Sequence, residues 1–279
     1  MKKTVCYALI ALILVLSFTA CDEFFSNSWG TTRDYDPEKI DLNAANVSQW
    51  VDQAIGNPDL ADAILKKIKQ EMKKQPKESK DWQKLQQAGI KLAVESSGLG
   101  EAIVSNALDA LSKLDKETEL DETLVKDILS GIQDDFNSSG GVNAAENLAD
   151  IVIASLDGSF QDGDPPKFSE AFAESADPSD VAEAILVLVL GILGDEGKSV
   201  TDDDLNWNDV EDLAKGLAFD NHTDPTHPHI VIDTSTNDGN LPDDKTLALA
   251  AYLNLIVDHP DKFGDNPLTE TIRDAFFNN

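Results

Sequence analysis

The amino-acid sequence predicts an all-α fold, a multi-helix array or α-solenoid-like bundle of helical hairpins, on three observations. Apolar residues recur every three or four positions through most of the chain, which places them on one stripe of a helix. No run of alternating Val, Ile, Thr and aromatic residues is long enough to require a sheet, and only HIVID, residues 229 to 233, reads as a strand. AEAILVLVLGILG, residues 182 to 194, is apolar on nearly every face after Glu183, which predicts a helix enclosed by others. It falls short of the ~20 residues of a bilayer span. It is therefore expected to be the central helix of the core.

The elements follow in order. In PDLADAILKKIKQEM the residues Leu60, Ile64, Ile68 and Met72 recur every four positions, with Pro58 where a helix can begin and Pro76 beyond its end. Similar stripes run through WQKLQQAGIKLAV, EAIVSNALDALSKL, ETLVKDILSGI, NAAENLADIVIASL, WNDVEDLAKGLAF and TLALAAYLNLIV. Breaks are expected at Asn57-Pro58, Ser97-Gly98, Asn137 to Gly141, Asp157-Gly158, Asp195 to Gly197, Asp220 to Pro228 and His259-Pro260. Several are spaced ~20 or ~40 residues apart, as paired helices of a hairpin array would be. Trp82 and Leu85 sit at tetratricopeptide spacing, but the Gly, Tyr, Ala and Pro positions that should follow are missing.

The amino terminus carries a targeting pattern that must be set aside before the fold is considered. Lys2 and Lys3 precede an apolar stretch from Val5 to Phe18, then small Thr19 and Ala20, then Cys21 and the acids Asp22 and Glu23. This arrangement resembles a bacterial lipobox, and with Phe18 in the place of the usual Leu it is similar to the relaxed lipoboxes of spirochaetal lipoproteins. The resemblance covers the first 25 residues or so. It implies that residues 1–20 are a signal peptide and that Cys21 is acylated, making membrane lipid a partner. Cys6 lies in the signal, so no disulfide framework survives in the mature chain. Asp22 resembles an inner-membrane retention signal. The expected location is extracytoplasmic, at the periplasmic face or cell surface.

Residues 21–36 read as a tether of Ser, Asn, Gly, Thr and Pro with no apolar period, reaching at most ~50 Å when extended. Residues 37–279 form the acidic helical domain, with two subdomains expected to meet near 137–141 if the body divides.

Formal net charge is −30, and loss of Lys2 and Lys3 leaves −32. Residues 93 to 279 hold nine bases against forty acids. Such a body is not expected to bind nucleic acid, which needs clustered positive charge. Residues 66 to 84 hold eight lysines against Glu71, Glu78 and Asp81. Within them Lys66, Lys67, Lys69, Lys73 and Lys74 form a basic patch that is either drawn to anionic headgroups or simply the solvated face of one helix.

Two loops repeat one pattern. DGSFQDGDPP, residues 157 to 166, and DTSTNDGNLP, residues 233 to 242, align Asp157, Ser159, Asp162 and Gly163 with Asp233, Ser235, Asp238 and Gly239. Oxygen side chains at alternate positions before a glycine suit calcium, so Asp157, Ser159, Asp162, Asp233, Ser235 and Asp238 are candidate ligands for Ca²⁺. The glycine comes one position later than in an EF-hand, and Phe168 and Lys245 stand where its bidentate Glu belongs. Helix capping by the same Asp and Ser residues is the alternative.

His222, Asp224, His227 and His229 form a second candidate metal set, for zinc, with polar loop the competing reading. HExxH, Walker and GxSxG patterns are missing. The expected function is that of a lipid-anchored binding or scaffolding protein whose partner is another envelope protein or a small ligand. A calcium-binding envelope protein and an envelope hydrolase are the alternatives.

Overall fold

A computed structural model describes residues 37–103, 122–156, 160–195, 217–220, 229–236, 239–263, 269, 272 and 273. Among them are nine α-helices and one two-stranded sheet: α1 Val47–Ala54, α2 Pro58–Met72, α3 Lys80–Glu95, α4 Glu122–Ser138, α5 Gly141–Ser155, α6 Glu170–Ser175, α7 Pro178–Asp195, β1 Leu217–Asp220, β2 His229–Ile232, α8 Asp244–Asp258 and α9 Pro260–Phe263. The protein is mainly helical, as the periodicity predicts. No described helix is long and apolar enough to cross a membrane.

Helix starts are written locally. The Asn57 side chain accepts from Leu60 N ahead of Pro58, Ser79 from Trp82 N, Ser169 from Phe172 N, and Asp243 from Lys245 N and Thr246 N. Each cap satisfies amides that the first helical turn leaves without an internal partner. Gly140, at φ +87°, separates α4 from α5, a left-handed conformation that suits glycine. Apolar residues on both sides of this break join one buried cluster, among them Ile68, Leu85 and Phe136 before it and Leu148, Ile185 and Tyr252 after it.

Helices α5, α7 and α8 pack against one another at the centre, with α3 on α5 and α7, α2 on α3, and α1 on both α2 and α3. Pairs such as α3 with α7 are distant in sequence, whereas in a solenoid each repeat meets only its neighbours. The arrangement is a bundle. As expected, α7 is enclosed: Val181, Ala182, Ala184 to Leu188 and Leu190 to Leu193 are all buried. It is not alone in this. Every residue from Thr246 to Val257 of α8 is buried too, although its sequence reads as one more stripe.

The close approach of α7 to α5 depends on Gly191, where an added Cβ would overlap the Ala145 Cβ. Gly191→Ala is expected to destabilise by about 1–3 kcal/mol through overpacking, even though alanine is the better helix former. Thermal melting of the variant checks this, and an unchanged midpoint would mean that the two helices are not in contact there.

One element departs from the sequence reading. WNDVEDLAKGLAF reads as a helical stripe, yet its last residues belong to β1, which pairs antiparallel with β2 in the register Leu217 with Ile232 and Asp220 with His229. Four residues are too few to distinguish the two periods. The partner strand decides the matter by supplying backbone hydrogen bonds.

Candidate functional site

The two repeated loops, 76 residues apart in sequence, lie side by side. Gly163 N donates to Ile232 O at 2.7 Å, and Ile232 N donates to Asp164 O at 3.0 Å. Asp162 Oδ1 accepts from Thr234 N at 2.7 Å and from Thr234 Oγ1 at 3.0 Å. These two bonds hold the Asp162 carboxyl below its usual value, with the backbone amide the larger cause. In the second loop Asp233 Oδ1 accepts from Ser235 N at 2.9 Å and from Ser235 Oγ at 2.5 Å. Gly163 and Gly239 take matching left-handed conformations at φ +82° and +81°, so the glycine of the shared pattern has the same backbone conformation in both loops.

Of the six calcium candidates, Asp162, Asp233 and Ser235 are thus engaged in loop-to-loop and local bonds, the behaviour of turns and caps. Asp157, Ser159 and Asp238 lie outside the described residues. No group of three or more His, Cys, Asp or Glu among the described residues is placed to hold a metal ion.

Beneath the loops lies a residue to which sequence reasoning gave no role. Asn254, on α8, is fully buried. Its Nδ2 donates to Pro166 O at 3.0 Å and to Ile230 O at 2.9 Å, while Oδ1 accepts from Ile230 N at 2.8 Å. One side chain therefore substitutes for a neighbouring strand along β2 and also ties down the first loop. The signal for it was present: Asn254 is the one amide inside TLALAAYLNLIV, and a buried amide needs partners.

Tyr252, two residues earlier on the same helix, is fully buried, and its hydroxyl has no hydrogen-bond partner among the described residues. Burial, with Asp180 adding to it, pushes its phenol far above the usual range. Its ring packs 4.9 Å from that of Phe168, which stacks on Phe172 at 4.1 Å.

Of the zinc candidates only His229 is described; His222, Asp224 and His227 are not. His229 Nε2 lies 2.5 Å from Asp258 Oδ1, joining β2 to the last residue of α8. His259 Nε2 approaches Glu170 Oε2 of α6 at 4.0 Å.

The lysine patch is largely paired. Lys66 meets Asp62 at 2.6 Å, Lys67 meets Glu71 at 3.4 Å, Lys74 meets Glu71 at 2.7 Å, and Lys69 reaches Asp150 of α5 at 2.6 Å. Lys74, and then Lys67, hold the Glu71 carboxyl below its usual value. Of the five patch residues only Lys73 makes no ion pair among the described residues. The sequence placed the basic surface along a helix face; Asp62 and Glu71 on the same helix neutralise most of it, and Asp150 of α5 takes up Lys69. Cys21 lies outside the described residues.

No protein-family model, no curated protein and no solved structure matches the chain.

Proposed function

We propose that this protein is a lipid-anchored, extracytoplasmic helical binding or scaffolding protein. The observation that carries the reading is Thr19-Ala20-Cys21 at the end of the apolar run, followed by Asp22-Glu23 and a polar tether. Acylation at Cys21 would hold the helical body at a membrane, since two or three chains anchor firmly where one does not. The bundle behind the tether suits a binding role as an ordered scaffold: four described helices carry side-chain caps, its centre is a buried apolar cluster, and Asn254 is bonded through both side-chain polar atoms. Labelled palmitate is expected to enter the wild-type protein and not the Cys21→Ser variant, and globomycin is expected to cause the precursor to accumulate. Unlabelled wild-type protein of unchanged size would refute the anchor. Capture of the acylated protein from its own envelope then identifies the partner.

Calcium binding is a second reading, favoured by the adjacency of the two repeated loops through Asp162 and Thr234. If the loops bind the ion, millimolar Ca²⁺ raises the melting temperature by mass action on the folded state. Mg²⁺ does so less, because it tolerates irregular loops poorly. Sodium chloride at matched ionic strength is the control, since any cation screens a body this negative. Asp162→Ala with Asp238→Ala should abolish the calcium-specific part. Equal effects of all three salts would leave the loops as structural turns.

A further inference from the structure

Positive charge is scarce here, and most of the described lysines are bound within the body. Besides the pairs already given, Lys91 meets Glu95, Lys245 meets Asp195 at the end of α7, and Lys262 Nζ donates to the carbonyls of Ala173 and Glu174 at the end of α6. Among the side chains described, the lysines without an ion pair or hydrogen bond are Lys73, Lys80, Lys84 and Lys167. Three of them lie around the turn that joins α2 to α3, Lys73 just after α2 and Lys80 and Lys84 at the start of α3.

That corner is unusual in three respects. Residues 73 to 84 hold Lys73, Lys74, Lys77, Lys80 and Lys84 against Glu78 and Asp81, and all five lysines are exposed. Lys80 occupies the first turn of α3, the positive end of the helix dipole, where a cation is disfavoured. Lys84 follows it four residues later, so two like charges share one face and repel. The turn itself contains Glu78 at φ +65°, the one non-glycine residue among those described with a left-handed backbone, a conformation that is costly for a side-chain-bearing residue. Asp81, in the same first turn as Lys80, offsets part of this charge, and an external anion at the corner would offset the rest.

The position of the tether indicates which anion. The first described turn, Pro37–Lys39, packs against α2, the helix that leads into the corner, and residues 22–36 precede it in sequence. Their extended length of at most ~50 Å exceeds the ~18 Å radius of gyration of a body this size.

We propose that the Lys73–Lys84 corner docks on the headgroups of an anionic bilayer and turns the acidic remainder of the body away from it. The proposal rests on acylation at Cys21, which keeps the corner within reach of the surface. Net charge does not forbid the contact. At physiological ionic strength charges interact across ~8 Å, so the membrane senses the face nearest to it rather than the whole body. The corner carries Lys73, Lys80 and Lys84, three of the four described lysines that make no ion pair or hydrogen bond.

The test uses mature acylated protein on vesicles of phosphatidylcholine, with and without phosphatidylglycerol. An amine-reactive reagent is applied and labelling is read at each lysine by mass spectrometry. On the anionic vesicles labelling of Lys73, Lys80 and Lys84 is expected to fall about fivefold, the factor that ~1 kcal/mol per surface-bound lysine corresponds to. Lys167 should be unchanged, and high salt should restore the signal. The triple variant Lys73→Glu, Lys80→Glu, Lys84→Glu is expected to lose protection at Lys74, which it retains, while melting as wild type. Equal labelling on both vesicles overturns the proposal. So does protection by dextran sulfate in solution with none on anionic vesicles, which would assign the corner to a soluble polyanion. Failure to float with neutral vesicles would show instead that the anchor is wrong. In that case flotation with anionic vesicles that the triple variant loses still supports docking, and no flotation on either vesicle refutes it.

Discussion

Asn254→Leu is expected to lower the melting temperature of the protein sharply. The substitution leaves Ile230 N, Ile230 O and Pro166 O without the partner that serves all three. Ile230 is 3% exposed and Pro166 is buried, so water does not readily replace the amide. An unsatisfied buried backbone group costs about 1–3 kcal/mol, and three of them approach the whole stability of a typical domain, about 5–15 kcal/mol. The added apolar surface of leucine offsets only part of this. Asn254→Asp should be no better, because it retains the acceptor for Ile230 N but turns an oxygen toward two carbonyl oxygens. Thermal melting gives the magnitude, and hydrogen exchange at the Ile230 amide locates it. Wild-type melting with a protected Ile230 amide would show that β2 is held by something other than Asn254.

Leu186→Asp and Leu190→Asp are expected to be as severe, for a different reason. Both leucines lie in α7 at 6% and 7% exposure, within the buried apolar cluster. The variants lose about 2 kcal/mol or more of apolar burial. They also face the penalty of an uncompensated charge in the core, about 3–5 kcal/mol in comparable cases. The carboxyl escapes part of that penalty by taking up a proton, so the loss should shrink as the pH falls. Urea titration at neutral and acidic pH reads both effects. Native-like stability of either variant at neutral pH would place α7 on a surface.

Local features of the chain were legible, and their limits are instructive. Leu60, Ile64, Ile68 and Met72 recur with the helical period, and all four are buried on α2, which runs from Pro58 as its sequence indicates. HIVID reads as a strand and is one from His229 to Ile232. By contrast TLALAAYLNLIV reads as a stripe and is buried all round, because small residues such as Ala248, Ala250 and Ala251 are neutral in a pattern and become core only when neighbouring helices close over them. The lysines of α2 read as one surface patch, and Lys69 proves to be tied to Asp150, 81 residues away.

The candidate site divides in the same way. The repeat of Asp, Ser and Gly in the two loops is a property of the string of letters, and so are the matching left-handed glycines that it demands. Their adjacency is not. It arises because Asn254 gathers β2 and the first loop onto α8, and because Asp162 then finds Thr234.

Sequence by itself determined what depends on neighbours within a turn or two: the helix period, the nearly continuous apolar run of α7 after Glu183 and the overall acidity. Only the tertiary structure decided which lysines remain without partners, which polar residue is clamped in the core and which short segment becomes the second strand. Each of these depends on a partner brought from tens of residues away, and a local pattern carries no record of that distance.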